Sequence, residues 1–124
     1  MSDDGHGDQP ETVDKWGVQL RKGCLDLAIL AVLWDGQLYG LEILRRLESD
    51  SDLIVSEGTI YPLLGRLKDL GLVRSVWVES ETGHPRKYYA LTEAGKKRAR
   101  DMAETWTQFT SSMRKLLTPL KKGK

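Results

Sequence analysis

The sequence predicts a mainly α-helical fold that carries one β-hairpin. Three observations in its 124 residues carry this expectation. Apolar residues recur every three or four positions over most of the chain, which is the helical period. Between Leu72 and Leu91 that period gives way to two short runs rich in β-branched and aromatic residues. Clusters of Gly, Pro and short polar residues mark the joins between these segments.

The first helix is expected from about Val13 to Leu33. Its early part is amphipathic through Trp16, Leu20, Cys24 and Leu27, and its later part is apolar nearly all round, which places it centrally. Asp35-Gly36-Gln37 ends it. A second helix spans about Tyr39 to Glu48, with Leu41, Leu44 and Leu47 as its stripe. A third starts at Ser56, whose hydroxyl can cap it. Ile60, Leu63, Leu64, Leu67 and Leu70 form one apolar face, and Gly71 is a suitable stop. Pro62 removes a backbone donor and is expected to bend the first turns.

Leu72–Val78 and Lys87–Leu91 read as strands around the turn cluster Glu79–Pro85. Alternation sends one of Tyr88 and Tyr89 inward and leaves open which. Thr92 caps a long last helix. Three helices followed by a two-stranded ribbon is the order of a winged helix-turn-helix. The expected division is a disordered acidic tail over 1–11, a DNA-binding domain over 12–91, a dimerisation helix over 92–118 and a frayed basic tail over 119–124, since Pro119 should end the regular helix near Leu117.

Composition narrows the function. Charged residues make up 30% and hydrophobic residues 40% of the chain, as in a soluble globular protein. No apolar run is long enough for a membrane span, and the N-terminus lacks a signal-peptide pattern, so a cytoplasmic location is expected. The net charge of +1 conceals an asymmetry. Five acids and no Lys or Arg lie in 1–14, which leaves 13 acids against 19 bases, a net of +6, in the rest. A basic body of this kind fits a polyanionic partner.

Catalysis has little support. His6 and His84 fall in a tail and a loop tip, and Cys24 is the sole cysteine and sits in an apolar helix. No phosphate-binding loop follows a strand. Neither an enzyme, nor a metal site, nor a cofactor is expected.

The stretch Ser56-Glu57-Gly58-Thr59-Ile60-Tyr61-Pro62-Leu63-Leu64-Gly65-Arg66-Leu67, with Leu38-Tyr39-Gly40 before it and Pro85-Arg86-Lys87-Tyr88-Tyr89-Ala90-Leu91-Thr92-Glu93-Ala94-Gly95 after it, resembles the PadR family of bacterial transcriptional regulators. The single long last helix resembles the short-chain branch of that family. The resemblance implies double-stranded DNA as partner, with the third helix in a major groove. The implied contacts are Tyr39, Ser56, Gly58, Thr59, Tyr61 and Arg66, and the wing residues His84, Arg86 and Lys87. Short hydroxyls and a phenol near a helix N-terminus suit phosphate oxygens, and Arg66 has the geometry to read guanine.

The last helix carries Ala99, Met102, Trp106, Phe109, Met113, Leu116 and Leu120 at alternating spacings of three and four, a heptad seam. The economical way to bury the seam is against a second copy, so a homodimer is expected, with an interface over Ala99, Met102, Trp106, Phe109, Met113 and Leu116. The resemblance further implies that Trp16 and Leu20 pack on the partner's last helix. In multidrug-sensing members of the family, planar drugs stack on a tryptophan placed like Trp106. Trp106, Phe109, Trp16 and Leu20 are therefore the candidate contacts of a small aromatic effector, with a plain packing role for Trp106 as the alternative. The function expected is a homodimeric repressor released from a palindromic operator. The alternatives are a protein-interaction or drug-sequestering module without a specific DNA site.

Overall fold

The computed structural model describes residues 4–51 and 53–123, with side chains over 15–51 and 53–121. The elements run α1 (Asp4–Val32), β1 (Leu38–Tyr39), α2 (Gly40–Asp50), α3 (Glu57–Asp69), β2 (Val73–Val78), β3 (Arg86–Leu91) and α4 (Glu93–Gly123). The core gathers where α1, α2 and α3 meet. Ile29 and Leu30 come from α1 and Leu33 from the turn directly after it, Ile43 and Leu47 from α2, and Ile60, Leu64 and Leu67 from α3. All are fully buried or nearly so, and no polar side chain is buried among the described residues. Val73, Tyr89 and Leu91 close this core from the sheet, and Ala99 closes it from α4.

The sheet has three strands in the order β1-β3-β2, all antiparallel. The hairpin pairs Val73 with Leu91 and Val78 with Arg86 at its two ends. The added strand pairs Leu38 with Tyr89 and Tyr39 with Tyr88. Two residues cannot show a period, which is why β1 left no mark in the pattern. The two tyrosines separate as alternation requires. Tyr89 is buried, whereas Tyr88 packs edge-on against Tyr39, with ring centroids 5.4 Å apart.

The helix ends hold most of the corrections. α1 begins at Asp4, ahead of the expected Val13 and inside the segment expected to be disordered. Once the packed part of a helix has formed its nucleus, each added residue costs little. α4 likewise continues through Pro119 to Gly123. A proline there removes one hydrogen bond without ending the helix, because solvent can satisfy the freed carbonyl. Pro62 is carried inside α3 in the same way, on the exposed side.

Ser56 is the N-cap of α3 by backbone position, but its side chain makes no cap hydrogen bond. Its hydroxyl instead meets the Thr59 hydroxyl at 3.3 Å, and the Ser56 carbonyl accepts from the Thr59 and Ile60 amides. Leu70, expected on the core stripe, is exposed because the helix stops at Asp69 and the chain turns away. That stop is a Schellman motif. The Gly71 amide donates to Lys68 at 2.9 Å and the Leu72 amide to Leu67 at 3.0 Å, with Gly71 at φ +78°.

Thr92 caps α4 as expected. Its hydroxyl accepts from the Gly95 amide at 3.0 Å and donates to the Gly71 carbonyl at 2.6 Å, tying α4 to the end of α3. The approach is close enough that a Cβ at Gly95 would collide with the Leu72 carbonyl. Among the described residues no helix is long and apolar enough to cross a membrane.

Candidate nucleic-acid interface

The two flanks of α3 carry different chemistry. Three buried residues, Ile60, Leu64 and Leu67, fix its rotation. With that rotation Tyr61 and Lys68 fall on the side of the wing, whereas Thr59 and Arg66 fall on the side of α1. The DNA contacts implied on α3 are therefore divided between two flanks.

On the wing side lies a cleft of about 670 Å³ between α2, α3 and the hairpin. Arg45 from α2, Lys68 from α3, and Arg86 and Lys87 from β3 line it, together with Tyr39, Tyr61 and Trp77. No acidic residue among the described ones lines it. Four cations around aromatic walls attract a polyanion and offer flat surfaces for sugars and bases.

Each side chain has a physical support. The Arg86 guanidinium lies over the Tyr39 ring, 4.5 Å from its centroid, and Tyr88 holds that ring from the edge. The Lys87 ammonium sits 5.9 Å from the Trp77 ring and 5.8 Å from that of Tyr89. Cation–π contact of this kind orients a base without consuming its hydrogen-bond donors. Tyr39 also precedes α2, and its amide donates to the Glu42 carboxylate at 3.1 Å. Tyr61 rests on Gly40, in the space a Cβ there would fill. Burial, then the Glu57 charge, pushes its phenol above the ordinary value, so it stays protonated and able to donate.

On the α1 side, Ser56 and Thr59 face solvent around the α3 N-terminus, with Gly58 exposed between them. The first two amides of α3, those of Glu57 and Gly58, make no hydrogen bond among the described residues, as the Ser56 side chain does not take one. Arg66 is not free for a base in this state. Its Nη2 donates to both carboxylate oxygens of Asp26 on α1, at 2.8 and 3.1 Å. His84 lies exposed at the tip of the wing, where its carbonyl accepts from the Ser80 hydroxyl. Gly83 takes φ +86° in the turn before it.

The structure thus brings Tyr39, Tyr61, Arg86 and Lys87 to one cleft, and leaves Ser56, Gly58, Thr59 and Arg66 on a separate flank and His84 at the tip. Sequence reasoning places Lys68 on the polar side of α3 without naming it as a DNA contact, and misses Arg45 and Trp77 as members of this cleft. Arg45 stands beside the amphipathic stripe of α2, and Trp77 shares a strand face with Val73. A strict two-residue count along β2 would have found the latter.

A second cleft, of about 310 Å³, opens between α1 and α4. Cys24 and Leu27 from α1 face Met102, Trp106 and Phe109 from α4 across it. Trp16 and Leu20 do not line this cleft and lie exposed further along α1. The α4 seam also divides. Ala99 is buried in the core of its own domain and Met102 packs against that core, so these two are not spare surface. Beyond them Trp106 is 43% exposed, Phe109 58%, Leu116 70% and Leu120 74%.

A family model described as the transcriptional regulator PadR-like family matches residues 29–101. The chain is 37% identical to a solved PadR-like transcription factor from Bacteroides fragilis, over 82% of this chain and 98% of that one, with a TM-score of 0.68. It is 29% identical to a PadR family transcriptional regulator from Eggerthella lenta, over 90% and 96%, with a TM-score of 0.81. A PadR-like transcriptional regulator from Bacillus cereus is 32% identical, over 81% and 97%, with a TM-score of 0.74. The family match runs from the end of α1 through α2, α3 and the wing to the start of α4, and the chain belongs to the PadR family of DNA-binding transcriptional regulators.

Proposed function

We propose that the protein is a homodimeric repressor released from a palindromic operator by a small aromatic ligand. Each protomer sets α3 in a major groove and the wing on the adjacent backbone, and the twofold axis of the dimer matches that of the operator. The Arg45, Lys68, Arg86 and Lys87 cluster supports the DNA contact.

The observation that carries the dimer is the apolar face left uncovered on α4 from Trp106 to Leu120, with Trp16 and Leu20 bare on α1. Large apolar side chains left exposed along one helix face, with Met113 half-buried among them, favour an interface. A second copy covers it with the same residues. The α1–α4 cleft beside Trp106 supports a ligand site continuous with that interface. A ligand there releases DNA by favouring a dimer whose recognition helices no longer match the operator spacing.

The test combines three readings on the full chain. Its own upstream DNA is titrated at stated salt against a random duplex, molar mass is measured in solution, and planar aromatic cations are added to the DNA complex. A dimer with clear preference for the upstream DNA, dissociated by the dye, is the expected result. Equal affinity for random DNA overturns the operator, and a monomer at micromolar concentration overturns the dimer. Dye binding that quenches tryptophan fluorescence but leaves DNA bound supports the drug-sequestering reading instead.

A further inference from the structure

One ion pair among the described residues joins separate elements. The others, Arg46–Asp50, Lys96–Glu93 and Lys97–Asp101, are neighbours within one helix. Asp26 and Arg66 lie 40 residues apart and connect α1 to α3. The geometry is one-sided. A single nitrogen, Nη2, serves both carboxylate oxygens, whereas Nη1 and Nε make no hydrogen bond among the described residues. The Arg66 side chain is 58% exposed and that of Asp26 31%. An exposed pair of this kind adds little to folding, and it breaks readily when a better partner for the cation arrives.

Arg66 also stands on the α3 flank that carries Thr59, two helical turns along from it. We propose that Asp26 is a positioning residue for DNA binding, which stores the Arg66 guanidinium against α1 until a DNA phosphate takes the place of its carboxylate. The inference rests on the DNA-binding reading above. It makes binding an exchange: Arg66 leaves one anion for another, and the bared Asp26 carboxylate takes up a solvent cation. That uptake offsets one of the cations that the DNA releases. Asp26 therefore lowers both the affinity and its dependence on salt.

The experiment measures anisotropy of labelled upstream DNA with full-length wild type, Asp26→Asn, Asp26→Glu, Arg66→Ala and the Asp26→Asn/Arg66→Ala double variant, from about 50 to about 300 mM salt. Thermal melts accompany each variant. D26N is expected to bind about two- to fivefold more tightly at low salt, the range an exposed ion pair provides. Its slope of log affinity against log salt steepens by less than about 0.9, one phosphate contact's worth, because Arg66 meets the phosphate in both proteins and only the cation uptake at the bared carboxylate is lost. D26E keeps a carboxylate on Arg66 and binds like wild type. In the R66A background, D26N changes affinity by less than about twofold, because the group it acts through is gone.

A gain of equal size in both backgrounds overturns the exchange and leaves only a through-space charge effect. Unchanged or weaker binding by a D26N that melts like wild type overturns it outright. Should D26N melt early, D26E and the double variant carry the same comparison, and D26E binding more tightly than wild type overturns it. Wild type that binds no DNA overturns the DNA-binding reading, and this inference with it.

Discussion

Replacement of Gly40 by alanine isolates one contact that shapes the DNA-facing cleft. The backbone at the first residue of α2 accepts any L-residue, so the substitution carries no conformational strain there. Elsewhere such a change stabilises by about 0.4–1 kcal/mol through the unfolded chain. Here the new Cβ overlaps the Tyr61 ring, with Cε1 and Cζ each 2.6 Å away. Such overpacking costs about 1–3 kcal/mol in a closed core. Tyr61 is 40% exposed and can swing outward, which holds the cost to the low end of that range. The two effects leave a net loss of up to about 0.6 kcal/mol, a fall in Tm of at most about 2–4 °C for a domain of this size. The assay is thermal melting in a cycle with Tyr61→Ala. In the Y61A background the clash is absent and G40A turns neutral or mildly stabilising. A loss of equal size in both backgrounds refutes the reasoning, as does a stabilising G40A in wild type.

Leu64 is fully buried in the core, so Leu64→Ala loses about 2–5 kcal/mol in a denaturant titration. Leu116→Asp places a charge on the bare face of α4, and sedimentation should show a shift from dimer toward monomer with the melt of the DNA-binding part retained. The phenols of Tyr61 and Tyr89 are both raised by burial first, then by the Glu57 charge for Tyr61 and by Tyr61 for Tyr89. Their protonated forms are favoured in the fold, so this contribution is intact below about pH 10, the unfolded phenol value, and is lost as pH climbs through the higher folded values. Absorbance titration of phenolate should show a late component above pH 10 that Tyr61→Phe reduces.

Much of this architecture was legible because its signals are periodic. The stripe Ile60, Leu64, Leu67 fixed both the existence of α3 and its rotation, and Gly71 fixed its end. The hairpin followed from a β-branched run over Val73–Val78 and an aromatic one at Tyr88-Tyr89 around a Gly- and Pro-containing turn. What escaped the sequence was set by contacts between distant segments. β1 exists because β3 offers Leu38 and Tyr39 an open edge, and nothing local in Gln37-Leu38-Tyr39-Gly40 announces a strand. Arg66 looked like an exposed base on a polar face because Asp26 is 40 residues away. Ala99 looked like the first residue of a dimer seam because its spacing fits, although α4 only leaves the domain after Met102. Local pattern states which face of an element is apolar, and only the fold states which length of that face is already covered.

α1 stands where these long-range effects meet. Leu25 and Ile29 root it in the core, Cys24 and Leu27 line the cleft beside Trp106, and Asp26 grips Arg66 of α3. These five residues occupy less than two turns, so a rigid helix cannot move one set without the others. A ligand shifts an equilibrium only as far as its affinities for the two states differ. For a guest between Trp106 and Leu27, the states that differ are those with α1 displaced against α4. Since α1 carries the carboxylate paired with Arg66, such a displacement reaches α3 through that pair as well as through the core that Leu25 and Ile29 enter. Regulation by the proposed ligand therefore needs no distant relay, because one helix has the cleft on one side and the recognition helix's arginine on another.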